Sequence, residues 1–468
     1  MKQKKRIYKN IGGWVCFVFL GLLLNSCSLK KQPEHKAIVT DAFKDSTAIP
    51  DQWTTKTDTN KVNNSWVESF NDPMLDSIVA EAIRNNFDLK NAAGYVEIAQ
   101  QNVLLIASKM KPQVGLSFGY DATIDNKHSS LYNSYKGFSI ASWEPDVWGE
   151  IRSQKAGATA QYEATALNYE YAKQSLAAVT AKSWYLTVES SKIVALYQEV
   201  VTIYTEILEL VKTRRSLGKV GDLDVAEASA NLNAAQNVLL QSQGIFAETK
   251  RNLETLVGRY PSAEIQTAKN FSPVPPPIQA GLPSQLLERR PDIVAAEKNV
   301  IAAFRDEEAQ KLALLPSFKF NIGTGLLSDV LLSVSHLNPL LLTGGIGMTV
   351  PIYTGGRLPA LIKIANIQQQ QAVSNYGSVC LNAFKEVENG IMYEDILAKQ
   401  IIFQQNVIAN RSEAVKIAKS KYELGKMDLL PVLQLQNDLI ASQEELIKLQ
   451  NAQLSNRINL HLALGGNF

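Results

Sequence analysis

The sequence predicts a mostly α-helical chain that carries a membrane β-sheet of four strands and is built as two copies of one unit. Three observations carry that expectation. Matching residues recur at an offset slightly above two hundred positions, four short segments alternate apolar with small or polar residues, and two helical stretches each exceed sixty residues.

The offset can be read directly. Asp88 and Asp292, Pro112 and Pro316, and Gly119 and Gly323 are each 204 apart, Pro145 and Pro351 are 206 apart, and Leu217-Gly218-Lys219 matches Leu424-Gly425-Lys426 at 207. Gly258 and Gly465 are also 207 apart, so the offset grows slowly, as small insertions after a duplication would make it do. Each half reads in the same order: a helical stretch, two alternating segments around a polar loop, a very long helix, a Leu-Gly-Lys turn and another helix. The expected divisions are a first repeat over 72–260, a linker over 261–283, a second repeat over 284–466 and a short end at 467–468. In the linker, Pro261, Pro273, Pro275, Pro276, Pro277 and Pro283 exclude a continuous helix and favour extended backbone.

The alternation predicts strands. Val114, Leu116, Phe118 and Tyr120 alternate with Gln113, Gly115, Ser117, Gly119 and Asp121, giving one apolar and one small or polar face. Phe318, Phe320 and Ile322 repeat this in the second half, and Leu340, Leu342, Ile346, Met348, Val350 and Ile352 share one parity before Thr354. A fourth, weaker segment sets Phe138 and Ile140 against Gly137, Ser139 and Ala141 and loses phase near Trp143, which with Trp148 is a candidate interface aromatic. Half-buried strands of a soluble sheet alternate in the same way. If the sheet does span a membrane, four strands cannot close a barrel alone, because open edges do not survive in hydrocarbon, and the chain must oligomerise.

The helices are too long for an ordinary globule. From Ile151 to Ser216 there is no proline and one glycine, Gly157, and such a helix reaches roughly 100 Å at 1.5 Å per residue. The second runs from about Leu361 to Leu424. Between Ile193 and Thr213 four of the seven heptad positions are apolar. The others, including Thr202, Glu206, Glu209 and Lys212, fall in one wet stripe of roughly 100°. Two apolar flanks allow a neighbour on each side, as in a curved wall of helices; a fibrous coiled coil or a long bundle satisfies the same heptads. Gly218 and Gly425 suit helix ends that need positive φ.

The N-terminus reads as a lipoprotein signal. Residues 1–26 carry five basic residues and then an apolar stretch of fourteen before Asn25, Ser26 and Cys27, too short to span and suited to cleavage with lipidation at Cys27. Residues 27–71 are polar and read as an extended, lipid-anchored arm. Without the signal, 42 Lys and Arg face 45 Asp and Glu, so no basic surface for nucleic acid is implied. With Cys16 in the signal and Cys27 lipidated, Cys380 is the one cysteine remaining, and neither a disulfide framework nor a Cys-based metal site can form. His35, His128, His336 and His461 lack metal spacing, and there is no phosphate loop or nucleophile elbow, so neither an enzyme nor a cofactor or metal is expected.

Several runs then carry a family resemblance: GLPSQLLERRPDIVAAE at 281–297, LPSF at 315–318, VPIYTGGR at 350–357, YELGKMDLLPVLQLQNDL at 422–439 and LALGG at 462–466. From Asp72 to Gly466 the chain resembles the TolC-type outer-membrane efflux proteins, in their OprM-like and NodT-like lipoprotein branch. The first run reads as a short helix capped by Ser284, broken at Arg290-Pro291 and restarted with Asp292 in its first turn. The resemblance implies a homotrimer whose four strands per chain make a twelve-stranded outer-membrane β-barrel, continuous with a periplasmic α-helical barrel. It implies an efflux duct, lipid-anchored in the outer membrane and extending into the periplasm, that works with a periplasmic adaptor and, through it, an inner-membrane pump.

The same resemblance makes Leu217, Gly218, Lys219, Leu424, Gly425 and Lys426 the adaptor-docking tips, although a tight turn needs its glycine in any case. Relatives close the periplasmic end with acids six and nine residues beyond the second tip's glycine; here Pro431 and Gln434 stand at those places. Asp222, Asp224 and Glu227 at the first tip, and Asp428, Gln434 and Asp438 at the second, are therefore the candidate aperture residues, and the acids among them read equally well as solvated helix-end carboxylates. An exit duct for secreted proteins would share this architecture. A structural helical lipoprotein without a pore is the alternative of another class.

Overall fold

The computed structural model describes residues 29–44, 49–55, 66–125, 130–276, 278, 280–328 and 341–466. The signal segment, Cys27, His128, His336, Leu340 and residues 467–468 lie outside the described residues. Helix α1 (His35–Ala42) precedes a 3-10 turn (Glu68–Phe70), then α2 (Pro73–Asn85), α3 (Phe87–Ser108), β1 (Gln113–Asp125), β2 (Ser130–Trp143), α4 (Glu150–Ser216) and α5 (Asp222–Leu256). The second half follows with α6 (Pro283–Arg289), α7 (Pro291–Leu312), β3 (Ser317–Ser328), β4 (Leu341–Thr349), α8 (Arg357–Glu423) and α9 (Leu429–Ala463). The element order thus recurs, down to two helices of 67 residues and two of 35.

One compact unit gathers residues up to Ser46, Tyr95–Ala166 and Ala295–Gly377; the other gathers Thr47–Gly94, Leu167–Val294 and Ser378–Phe468. The first holds the sheet, an antiparallel meander ordered β1-β2-β3-β4. It also shows that part of the expected arm, residues 35–42, is helical rather than extended. Ile38 is buried, and His35 Nδ1 lies 2.6 Å from Glu297 Oε2. Lys30 donates its backbone N–H to Glu308 at 2.7 Å and accepts from Arg305 at 2.7 Å. Eight residues with one buried apolar side chain show no period in the sequence; contacts made across some 260 residues of chain supply the order.

In the second unit, Trp66, Phe70, Leu75, Trp184, Tyr185 and Leu253 form a buried core. Asp72 organises its edge: its carboxylate accepts from the Met74 and Leu75 backbone N–H groups at the start of α2, from Trp184 Nε1 at 3.0 Å and from Ser272 Oγ at 3.1 Å. Two buried arginines hold the chain around the linker. Arg457 pairs with Glu394 and donates to the carbonyls of Pro275 and Pro276, groups that proline-rich backbone leaves without a ladder partner. Arg290 joins Asp292 at 2.8 Å, Glu386 at 2.6 Å and the Ala463 carbonyl. Burial works against its charge, yet the two carboxylates outweigh this and hold its pKa above the usual arginine range.

The α6 cap differs from expectation. Leu282 is the N-cap and Pro283 the first helical residue, which leaves Ser284 inside the helix, while Gln285 reaches back to accept from the Leu282 N–H at 3.3 Å. Proline's fixed φ starts the helix one residue before the serine could cap it. The break at Arg290 and the restart at Pro291 with Asp292 in the first turn stand as read.

Candidate functional site

Residues opposite each other in an antiparallel pair share a face, so the register sorts every strand side chain. Val114, Leu116 and Phe118 of β1 oppose Ala141, Ser139 and Gly137 of β2, and Tyr120 shares their parity. On the same face lie Trp143, Phe320 and Ile322, then Ile346, Met348 and Leu342 of β4. This face is apolar and open: Phe118 is 79% exposed, Leu342 77% and Ile346 75%. The opposite face carries Gln113, Ser117, Ser142, Lys319, Asn321, Thr343 and several glycines.

Strand β2 departs from the pattern read in the sequence. It runs unbroken to Trp143, but Phe138 opposes Ser117 and Gly325, and Ile140 opposes Gly115 and Gly323, so both sit on the small and polar face. The loss of phase near Trp143 is the trace of this inversion, since Trp143 belongs to the apolar face and Phe138 and Ile140 do not. Trp143 Nε1 donates to the Met110 carbonyl at 3.0 Å and Trp148 Nε1 to that of Pro316 at 2.7 Å, which fixes both rings where the strands meet the helices. Among the described residues no helix is long and apolar enough to cross a membrane.

The hairpin tips match each other in detail. In the turn after α4, Gly218 has φ +69, its N–H donating to the Arg215 carbonyl and that of Lys219 to the Arg214 carbonyl. In the turn after α8, Gly425 has φ +71, and the N–H groups of Gly425 and Lys426 donate to the Tyr422 and Lys421 carbonyls. This double bond pattern is the Schellman stop, which requires left-handed backbone and hence glycine. Leu217, Lys219, Leu424 and Lys426 project into solvent at the turns.

Arg214 ties the two tips together. Its guanidinium stacks 4.7 Å from the Tyr422 ring centroid and donates to the Glu423 carbonyl at 2.8 Å. Burial raises the pKa of the Tyr422 hydroxyl, with Arg214 acting in the other direction. Behind the tips, Val200, Tyr204, Ile207, Val211, Leu429, Val432 and Leu433 form one buried cluster.

The aperture candidates have mixed surroundings. Asp222 pairs with Arg215 at 2.5 Å, and Asp224 accepts from the Gly221 N–H at 3.1 Å, both as helix-start carboxylates. Glu227, Asp428, Gln434 and Asp438 are exposed, as is Pro431. Counting from each tip glycine, Asp224 and Glu227 stand at the places that Pro431 and Gln434 occupy in the second hairpin. Two tip residues were not singled out by the sequence: Leu223, 73% exposed, and Leu430, 63% exposed. Their separation of 207 residues, the same as that of the two turns, is the signal that could have found them.

A sheet that presents an open apolar face on strands too few to close, with paired hairpins ending in matched glycine turns, defines the subunit of an outer-membrane channel. The chain belongs to the outer membrane efflux protein family, whose model matches residues 78–259 and 282–466. It is 27% identical to the pyoverdine export outer membrane protein OpmQ of Pseudomonas putida, covering 97% of both chains. It is also 27% identical to the cation efflux system protein CusC of Escherichia coli, over 87% of this chain and 90% of that one. Among solved structures, a CusC structure aligns with TM-score 0.77 at 25% identity, covering 90% of this chain and 99% of that one. The Campylobacter jejuni CmeC outer membrane channel shares the fold with TM-score 0.82 at 20% identity, covering 95% of each.

Proposed function

We propose that this protein is the passive outer-membrane duct of a tripartite pump that exports small molecules, anchored by lipid on Cys27 after removal of residues 1–26. Three chains supply four strands each to a twelve-stranded barrel, and the paired long helices form the periplasmic tube. The observation that carries this reading is the open apolar face: four strands leave two unpaired edges, which hydrocarbon does not tolerate, so a lipid-facing sheet of this kind needs further copies. Leu217, Gly218, Lys219, Leu424, Gly425 and Lys426, with Leu223 and Leu430 beside them, meet the periplasmic adaptor. The aperture is lined by Glu227, Asp428, Gln434 and Asp438, with Asp222 and Asp224 held in local pairs. The chain needs no cofactor and catalyses nothing; the inner-membrane pump supplies the energy.

Deletion of this protein in its native strain tests the reading. Sensitivity to dyes, detergents, bile salts and antibiotics should rise and be restored by the wild-type chain, but not by a Leu223→Asp/Leu430→Asp double variant that still reaches the outer membrane. Unchanged sensitivities together with loss of a secreted protein would instead identify a secretion duct.

A further inference from the structure

The inversion of β2 places an aromatic ring among described side chains that are small or polar. On the face opposite the open apolar one, the described side chains are Gln, Ser, Thr, Asn, Asp and Lys interspersed with glycine at 115, 119, 323, 325, 345 and 347; Phe138 and Ile140 are the large apolar ones. The Phe138 ring lies directly over Gly325. A Cβ built at Gly325 would fall 2.2 Å from its Cδ1 and 2.4 Å from its Cε1. Phe138 is half-buried and Ile140 49% exposed, so both retain open apolar surface beside the backbone they cover.

In a closed barrel one sheet face meets lipid and the other the bore, and the open apolar face is the one suited to lipid. Phe138 and Ile140 then line the bore, a conclusion that rests on the duct reading above. We propose that they are specificity-determining residues of the duct, giving a transient foothold to solutes with an aromatic or apolar surface beside described neighbours that are small or polar. A ring laid against glycine exposes a π-face without projecting far into the bore, so it retards an aromatic solute by stacking while leaving polar solutes free. Cross-strand packing of an aromatic on glycine also supports a sheet, and Phe118 over Gly137 does this on the lipid side, where a Cβ at Gly137 would lie 3.5 Å from that ring. Phe118 is therefore the control that separates support of the sheet from contact with the solute.

The test uses the full-length purified protein in planar bilayers, with the aromatic dye rhodamine 6G as blocker and sucrose as polar control. Wild-type channels should show dye-dependent current interruptions; Phe138→Ser should weaken the block about tenfold, the loss of one aromatic contact, and leave the sucrose response unchanged. Phe118→Ser should block as wild type. If Phe138→Ser does not assemble, Phe138→Leu and Ile140→Ser are read instead, each with a smaller loss in the same direction. Equal block in wild type and bore-face variants, or equal weakening by Phe118→Ser, overturns the proposal while the duct reading stands. Well-folded wild-type oligomers that pass no current overturn the duct reading and this proposal with it.

Discussion

His461 lies in α9, 5% exposed, with its ring stacked on Trp66 at 5.7 Å and 21°. Neither ring nitrogen has a hydrogen-bond partner, and burial, helped by the nearby Arg457 guanidinium, pulls its pKa down to about 3. An unfolded histidine titrates near 6.5, so as pH falls below that value the unfolded chain takes up a proton that the folded chain refuses. The folded state is therefore penalised progressively from about pH 6.5 down to about pH 3. Between about pH 7.5 and about pH 5 the loss is about 2 kcal/mol per chain. His461→Phe keeps an aromatic ring against Trp66 and removes both the proton uptake and two buried polar atoms without partners. Denaturant midpoints at the two pH values measure the effect: wild type should lose about 2 kcal/mol more than the variant on acidification. Carboxylates shifted in either direction, among them Glu254 and Asp306, contribute equally to both proteins and cancel in the difference. Parallel pH dependences in the two proteins would refute the assignment.

Further perturbations probe the sheet, the turns and the tips. Leu116→Arg places a charge on the open apolar face and should cost about 2–4 kcal/mol at mid-bilayer depth, read as lost insertion into vesicles, while Ser117→Arg on the other face inserts normally. Gly258→Ala puts a side chain at φ +76 and 3.1 Å from the Cβ and carbonyl oxygen of Asn85, and should lower stability by about 1–2 kcal/mol in thermal unfolding. Arg214→Ala removes the guanidinium that joins Tyr422 and the Glu423 carbonyl, so the tips should part more readily and single-channel conductance should rise; unchanged conductance would show that this link does not hold them closed.

What the sequence made legible follows from local physics. Between Ile193 and Thr213 the nine positions of the wet stripe, from Ala195 to Thr213, are all exposed, and Leu196, Val200, Tyr204, Ile207 and Val211 are buried, because a helix fixes its own faces. The Leu-Gly-Lys turns were legible because only glycine enters the left-handed region without strain. The face of Phe138 and Ile140 was not, because a strand's parity says which residues share a side and only pairing says which side it is. Arg290, Arg457 and Asp72 were equally hidden: their partners lie up to 200 residues away in the chain, and single charged residues in helices or at their ends carry no periodic signal. At the tips, the sequence supplied Asp222 and Asp224 but not the Arg215 and Gly221 groups that occupy them.

Conductance of the purified full-length protein in planar bilayers tests the central claim most directly, with its oligomeric mass measured in the same detergent. The proposed duct predicts assemblies of three chains that insert and pass steady ionic current, while the open edges of the four-stranded sheet require only that more than one chain assemble. Well-folded single chains, or trimers that insert without conducting, would contradict it.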